Sequence, residues 1–138
     1  SGTSLDGVDA ALVQIGKQQA ALTHSELLYS TAFQLSPDAV SINRLSDATC
    51  LQINQSFTRM FGWTADEIVG RSTLSVGMWR SRADRQRLLD ALLTGGRAEN
   101  VEVELMTRDG RALTVLVSAS VMELDGERCL LSITHDIT

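Results

Sequence analysis

The sequence predicts an α+β fold: a five-stranded antiparallel sheet with short helices on one face and a helical leader at the N-terminus. Three observations lead there. In the last third, Val101, Val103 and Leu105 alternate with Glu102, Glu104 and Met106, and Leu113, Val115, Val117, Ala119 and Val121 continue the period of two that marks strands. Two Asp-Gly pairs, Asp109-Gly110 and Asp125-Gly126, interrupt this region. Asp-Gly is a strong hairpin signal, because the tightest hairpin turns need positive φ at their central residues. Upstream, two short strand-like runs are followed by three capping residues, Asn54, Thr64 and Ser81, each placed to start a helix.

A chain of 138 residues with 43% hydrophobic and 21% charged residues is expected to form one domain. At this length roughly two thirds of the surface exposed by the unfolded chain is buried, so the core needs neither metal nor disulfide. Twelve basic residues against 17 acidic ones, a net charge of -5, argue against nucleic acid or an anionic membrane as partner, since either calls for a basic face. Two Trp, one Tyr, three Phe and a single Pro leave little material for aromatic cages or Pro-rich recognition. Cys50 and Cys129 sit in apolar runs, where a reduced thiol acts as a small hydrophobe, which favours the cytoplasm. No apolar run approaches the ~20 residues of a membrane span, and Asp6 and Asp9 stand where a secretory signal carries Lys or Arg. A start at Ser1 is expected of a piece cut or processed from a longer chain, whose other parts are free to carry a membrane anchor.

Taken in order, residues 1–24 form the leader and residues 25–138 the domain. Leu5, Val8, Leu12, Ile15, Leu22, Tyr29 and Phe33 follow a three-four spacing that stacks them on one helical seam, interrupted by Gln19 and Glu26. Such a seam suits pairing of two protomers, or covering of the outer face of the sheet. The alternative is a small hairpin with arms Ala10 to Ile15 and Ala20 to His24, turning at Gly16-Lys17. Ser36-Pro37-Asp38 stops what precedes it, because Pro37 disfavours helix at Ser36. Ala39 to Leu45 and Thr49 to Ile53 read as strands joined by Ser46-Asp47-Ala48. A short helix capped by Asn54 runs through Met60 and ends at Gly62. Thr64 with Glu67 three residues on makes a capping-box pattern for a helix ending at Gly70. Arg71 to Arg80 is irregular with Met78 and Trp79 as apolar anchors, and Ser81 caps a helix from Arg82 to Leu93, closed by Gly95-Gly96. Three strands finish the chain, the last from Cys129 to Thr134.

The order of these elements and the residues at their joints resemble a Per-Arnt-Sim (PAS) sensory domain. The resemblance runs from about Ser25 to Thr138. It is carried by Ser36-Pro37-Asp38-Ala39-Val40, by Asn54-Gln55-Ser56-Phe57, by the run Phe61-Gly62-Trp63-Thr64-Ala65-Asp66-Glu67-Ile68-Val69-Gly70-Arg71, by the Arg108-Asp109-Gly110-Arg111 hairpin and by the closing Asp136-Ile137-Thr138. It implies a non-catalytic signal-sensing and dimerisation module of a bacterial-type signalling protein. Asp136 and Thr138 would then pass the signal to a C-terminal effector, a histidine kinase or a diguanylate cyclase. A ligand-free protein-interaction domain is the alternative.

The resemblance also sets which cofactors to look for. A haem-binding member would use an axial His on the long helix, and Arg82 to Leu93 contains none; His24 and His135 lie at the edges. A light-oxygen-voltage member would carry a reactive Cys after Gly70-Arg71, but that segment reads Ser72-Thr73-Leu74-Ser75-Val76-Gly77. Haem and a flavin adduct are therefore not expected, no metal site is visible, and an unknown small organic ligand remains. Candidate pocket walls are Phe57, Val76, Met78 and Trp79 before the long helix and Leu88 and Leu92 on it. The strands add Val103, Leu105, Val115, Val117, Leu131 and Ile133, aimed inward by parity. Asn54 and Ser118 are candidate polar groups, equally natural as a cap and an outward strand residue. No motif for nucleotide binding or nucleophilic catalysis accompanies these positions. The first nine residues, Ser1 to Asp9, resemble the phosphate-binding opening of anhydro-N-acetylmuramic acid kinases, yet nothing after them supplies the two lobes such a kinase needs.

Overall fold

A computed structural model describes residues 24–138, with side chains from Ser30 onward. The seam positions Leu5, Val8, Leu12, Ile15 and Leu22, the alternative hairpin and the kinase-like opening lie outside the described residues. Helix α1 (His24–Leu35) is followed by strands β1 (Ala39–Arg44) and β2 (Cys50–Ile53). Then come α2 (Gln55–Phe61), α3 (Ala65–Ile68) and α4 (Arg82–Gly95), and finally β3 (Arg97–Met106), β4 (Ala112–Leu124) and β5 (Glu127–Asp136). The five strands form one sheet in the order β2-β1-β5-β4-β3, with every neighbouring pair antiparallel. The expected α+β architecture is what the chain adopts.

The last strand lies beside the first, from Ala39 opposite Thr134 to Arg44 opposite Cys129. That pairing gives the sheet two differently used faces. Towards α2, α3 and α4 point Ala39 of β1, Leu130 of β5, Val115, Val117 and Ala119 of β4, and Ala98, Val103 and Leu105 of β3. They pack with Phe57, Phe61, Ile68, Met78, Leu88 and Leu92 in the main core. On the other face Val40, Ile42 and Cys129 are buried against Phe33 of α1, with Leu51, Met122 and Leu131 at the margin. Phe33 thus covers part of the outer face.

Local chemistry places the helices. The α2 helix stops at Gly62, whose φ of +84° is left-handed and whose N–H reaches the Thr58 carbonyl. The Glu67 carboxylate accepts from the Thr64 N–H at 3.0 Å, closing the first turn of α3. Glu67 also pairs with Arg108 at 2.7 Å, and Arg108 lies over the Trp63 ring at 5.7 Å, so the second and third helices are tied to the β3–β4 hairpin. Gly96, at φ +79°, ends α4 and turns the chain directly into β3. That strand begins earlier than its alternating pattern, at Arg97, because a bulge between Ala98 and Val101, with Asn100 at φ +49°, shifts the register before regular alternation starts.

One side chain joins three of these elements. Asn54 is 1% exposed, and its Oδ1 accepts from the Val40 N–H at 2.9 Å and the Phe57 N–H at 3.0 Å. Its Nδ2 donates to the Phe33 and Asp38 carbonyls, each at 3.0 Å. All of its amide groups are used by backbone. Replacing Asn54 with Ala leaves two donors and two acceptors unmet at a buried site, and we expect a loss of about 3 kcal/mol in urea unfolding. Asn54→Asp keeps the cap acceptor but presents an oxygen to two carbonyls, and its stability should lie nearer the Ala variant than the parent.

Candidate functional site

A cavity of about 50 Å³ lies between the helices and the sheet. Its helical side is apolar: Phe57 and Phe61 from α2, Leu88 and Leu89 from α4, with Met78 and Trp79 from the loop before that helix. Its sheet side is mixed. Leu105, Val117 and Leu130 stand beside Ser41, Asn43, Ser132 and Thr134, and Arg44, Thr73 and Arg85 complete the polar part. A cavity that admits benzene is roughly 150 Å³, so this one takes only a few non-hydrogen atoms.

The polar groups reach the interior because of strand parity. Ser41 pairs with Ser132 and Asn43 with Leu130 across β1 and β5, and Thr134 pairs with Val117 across β4 and β5. Residues of this parity face the helices. Ser41, Ser132 and Thr134 are buried. The Asn43 amide donates weakly to Ser41 Oγ at 3.4 Å, while its Oδ1 is buried with no hydrogen-bond partner. An unmet buried carbonyl oxygen is uncommon and calls for an occupant or a water.

The long helix is held over the cavity at its first turn. Ser81 Oγ accepts from the Asp84 N–H, and the Asp84 carboxylate accepts from Arg87 at 2.9 Å and from the Glu104 N–H of β3 at 3.0 Å. Arg87 in turn donates to the Glu102 carbonyl at 2.6 Å. This clamp fixes the turn carrying Arg85 and Leu88. On the loop side, Met106 N–H donates to the Met78 carbonyl and Trp79 bridges to Leu105, setting Met78 and Trp79 against the sheet edge. Two groups near the core stay chemically quiet: burial pushes the Cys50 thiol up to about 12 and raises that of Cys129, so neither is a thiolate at neutral pH. Among the described residues no group of three His, Cys, Asp or Glu is placed to hold a metal.

Of the pocket positions expected from sequence, Phe57, Met78, Trp79, Leu88, Leu105 and Val117 line the cavity. Leu92, Val103 and Val115 belong to the same core without lining it, and Val76 packs at its margin. Three expectations need correction. Asn54 does not face the cavity, because all four of its hydrogen bonds go to backbone. Leu131 and Ile133 point to the opposite face, and Ile133 is 41% exposed. Both parities of β5 are apolar at its start, Cys129 and Leu131 on one side and Leu130 on the other, so hydrophobicity alone pointed the wrong way. Ser118 takes the outward strand position that is one of its two readings, and its hydroxyl accepts from the Asn100 N–H. The polar wall and Arg85 lie outside the positions expected from sequence; their signal there is Ser132 and Thr134 recurring every second residue within an apolar strand.

The C-terminal residues are strapped to β4. Thr138 Oγ1 accepts from the Thr114 N–H and donates to the Thr114 carbonyl, and the Ile137 N–H donates to that same carbonyl. The Thr138 N–H reaches Asp136 Oδ1 at 2.9 Å, and the Thr138 hydroxyl and N–H hold the Asp136 carboxyl below its ordinary range. Of the expected seam, Tyr29 lies on α1 and Phe33 is in the outer-face core.

The model of the PAS fold family matches residues 27–137. Among solved structures, the PAS domain of an HTR-like protein from Haloarcula marismortui is 26% identical, with a TM-score of 0.65 over 82% of this chain and 92% of that one. A PAS domain from a two-component sensor histidine kinase has a TM-score of 0.67 at 14% identity, covering 82% of this chain and 99% of the other. The PAS domain, in complex with ethanol, of a LuxR-family transcriptional regulator from Burkholderia thailandensis has a TM-score of 0.63 at 16% identity, covering 79% and 96%. The chain matches no curated protein.

The clamp on the long helix has a pH signature. The Arg87 guanidinium and the Glu104 N–H hold the Asp84 carboxyl below its ordinary value, so this group stabilises the fold above the unfolded pKa of about 4 and loses that contribution as pH falls through the lower folded value. Asp84→Asn should therefore be less stable than the parent in urea at pH 7. The gap should narrow at pH 3, where both states of the parent carry more protonated carboxyls.

Proposed function

Because the chain belongs to the PAS fold family, we propose that it is a non-catalytic signal-sensing module of a longer signalling protein and that it senses a small organic molecule in the cavity beneath α4. The observation that carries this reading is the mixed sheet wall. A wall that served packing alone would be apolar, whereas three inward hydroxyl residues stand here beside Asn43, whose Oδ1 is one of the buried side-chain atoms without a partner. The related PAS domain with ethanol is consistent in scale, since a three-heavy-atom molecule suits a space of about 50 Å³.

The output we assign runs along β5. Ser132 and Thr134 face the cavity, and the same strand ends at Asp136, which holds Thr138. A ligand that repacks this strand moves the Asp-Ile-Thr strap and with it an effector beyond, of the histidine kinase or diguanylate cyclase type. The neighbouring PAS domain from a sensor histidine kinase favours the first. The seam through Leu5, Val8, Leu12, Ile15 and Leu22 would pair two protomers. Two free, buried cysteines fit a reducing compartment such as the cytoplasm.

A second reading, a ligand-free interaction domain, is favoured by the small cavity, which is far below the several hundred Å³ of ordinary ligand sites. Titrating the purified protein with a panel of small organic molecules and following the Trp79 signals separates the two, since a guest small enough for this cavity is held too weakly to survive purification. We expect saturable binding of at least one of them; a protein that binds none supports the interaction domain. For the seam, Leu12→Glu with Ile15→Glu should convert a dimer to a monomer in light scattering, and an unchanged dimer removes the seam from the account.

A further inference from the structure

Two cations line the cavity, and they differ: Arg44 pairs with Asp47 and Glu127, whereas Arg85 pairs with no carboxylate among the described residues. Arg85, Leu88, Leu89 and Leu92 recur at three- and four-residue spacing on α4, the side that packs on the sheet. An apolar residue at position 85 would complete that stripe. Instead a guanidinium is half-buried there, and among the described residues no carboxylate pairs with it, although Asp84 and Arg87 on the same turn pair with each other at 2.9 Å. Burial is the one influence on its pKa, and it acts downward. Arginine remains protonated regardless, so the site keeps a partly desolvated positive charge with no counter-ion.

The rest of the lining narrows what could supply that counter-ion. Ser41, Ser132 and Thr134 offer hydroxyl donors on the sheet side, and Asn43, with its amide turned so that Ser41 Oγ donates to its oxygen, offers its NH2; Phe57, Met78 and Leu88 offer only apolar contact on the helical side. An all-oxygen anion would waste the apolar side. A neutral alcohol would leave the guanidinium unanswered. An anionic head with a short alkyl tail meets both halves, and the space available limits the tail.

Resting on the sensing reading above, we propose that the cavity binds a small monocarboxylate of about two to three carbons, with its carboxylate held by Arg85 and the inward hydroxyls and its alkyl end against Leu88 and Met78. Arg85 is then the residue that selects anions, and Trp79, in the same wall, reports occupancy.

The test is a titration of the isotope-labelled protein with sodium acetate, sodium propionate, sodium nitrate and ethanol at matched ionic strength, following the Trp79 indole N–H and its fluorescence. Acetate or propionate should give a saturable shift at least tenfold tighter than nitrate or ethanol. Arg85→Met, which restores an apolar stripe, should weaken carboxylate binding at least tenfold while leaving the folded spectrum intact. Arg85→Lys should recover part of it, since the charge returns without the planar fork. If Arg85→Met binds propionate as the parent does, or ethanol binds as tightly as acetate, the carboxylate proposal is wrong and the cavity remains a small-molecule site. If none of the four moves the Trp79 signals, the carboxylate proposal falls; if no member of the wider panel of small organic molecules moves them either, the sensing reading falls with it.

Discussion

The four hydrogen bonds of Asn54 are the constraint on which the remaining structure depends. The residue follows β2 and precedes α2, yet its amide also binds the end of α1 and the beginning of β1. Without it, the carbonyls of Phe33 and Asp38 and the N–H groups of Val40 and Phe57 would need water at a buried crossing, where water has little room. With it, the first strand enters the sheet at a set position, and the parity of β1 is fixed relative to α2. The pairing of β1 with β5 carries that parity to Ser132 and Thr134. A cavity with a polar wall is therefore a consequence of the register that this amide anchors.

That wall works against stability. Small hydroxyl residues at Ser41, Ser132 and Thr134 bury less apolar area than Val or Leu in the same places. The rest of the domain offsets this with a close-packed core. Phe57 and Phe61 meet at 4.9 Å between ring centres, and the α4 helix is clamped by Asp84 and Arg87 to Glu104 and Glu102 of β3. Polar residues concentrated where the sheet faces the helices, inside a chain otherwise packed conventionally, mark the place where sequence choice and folding preference part.

Much of this was legible in the sequence, for reasons that are local. The Asp109-Gly110 and Asp125-Gly126 turns, the Asn54, Thr64 and Ser81 caps and the Gly62 and Gly96 stops each satisfy a backbone demand within a few residues, so a short window of sequence suffices to see them. The facing of β5 was not legible, because it depends on pairing with β1, about 90 residues away, and because both parities are apolar at its start, Leu130 beneath the helices and Cys129 in the outer-face cluster with Phe33. The same strand explains why only half of the cavity is legible. Apolar positions fit a packed core and a cavity wall alike, whereas the positions that distinguish the two are the polar ones that share their parity.

The size of the cavity also bounds how the domain could signal. A guest of about four to five non-hydrogen atoms gains at most about 6 to 8 kcal/mol, given a ceiling near 1.5 kcal/mol per atom, which corresponds to a Kd no tighter than micromolar. Only the difference in that affinity between two states can shift their populations. A switch driven from this site must therefore begin near balance, with its states separated by a small part of that energy. The geometry of the exit suits such a switch: Asp136 and Thr138 are held by a few exposed hydrogen bonds to each other and to Thr114, two residues past the last cavity-facing hydroxyl of β5. A strap of that kind opens at low free-energy difference, whereas the core beneath it does not.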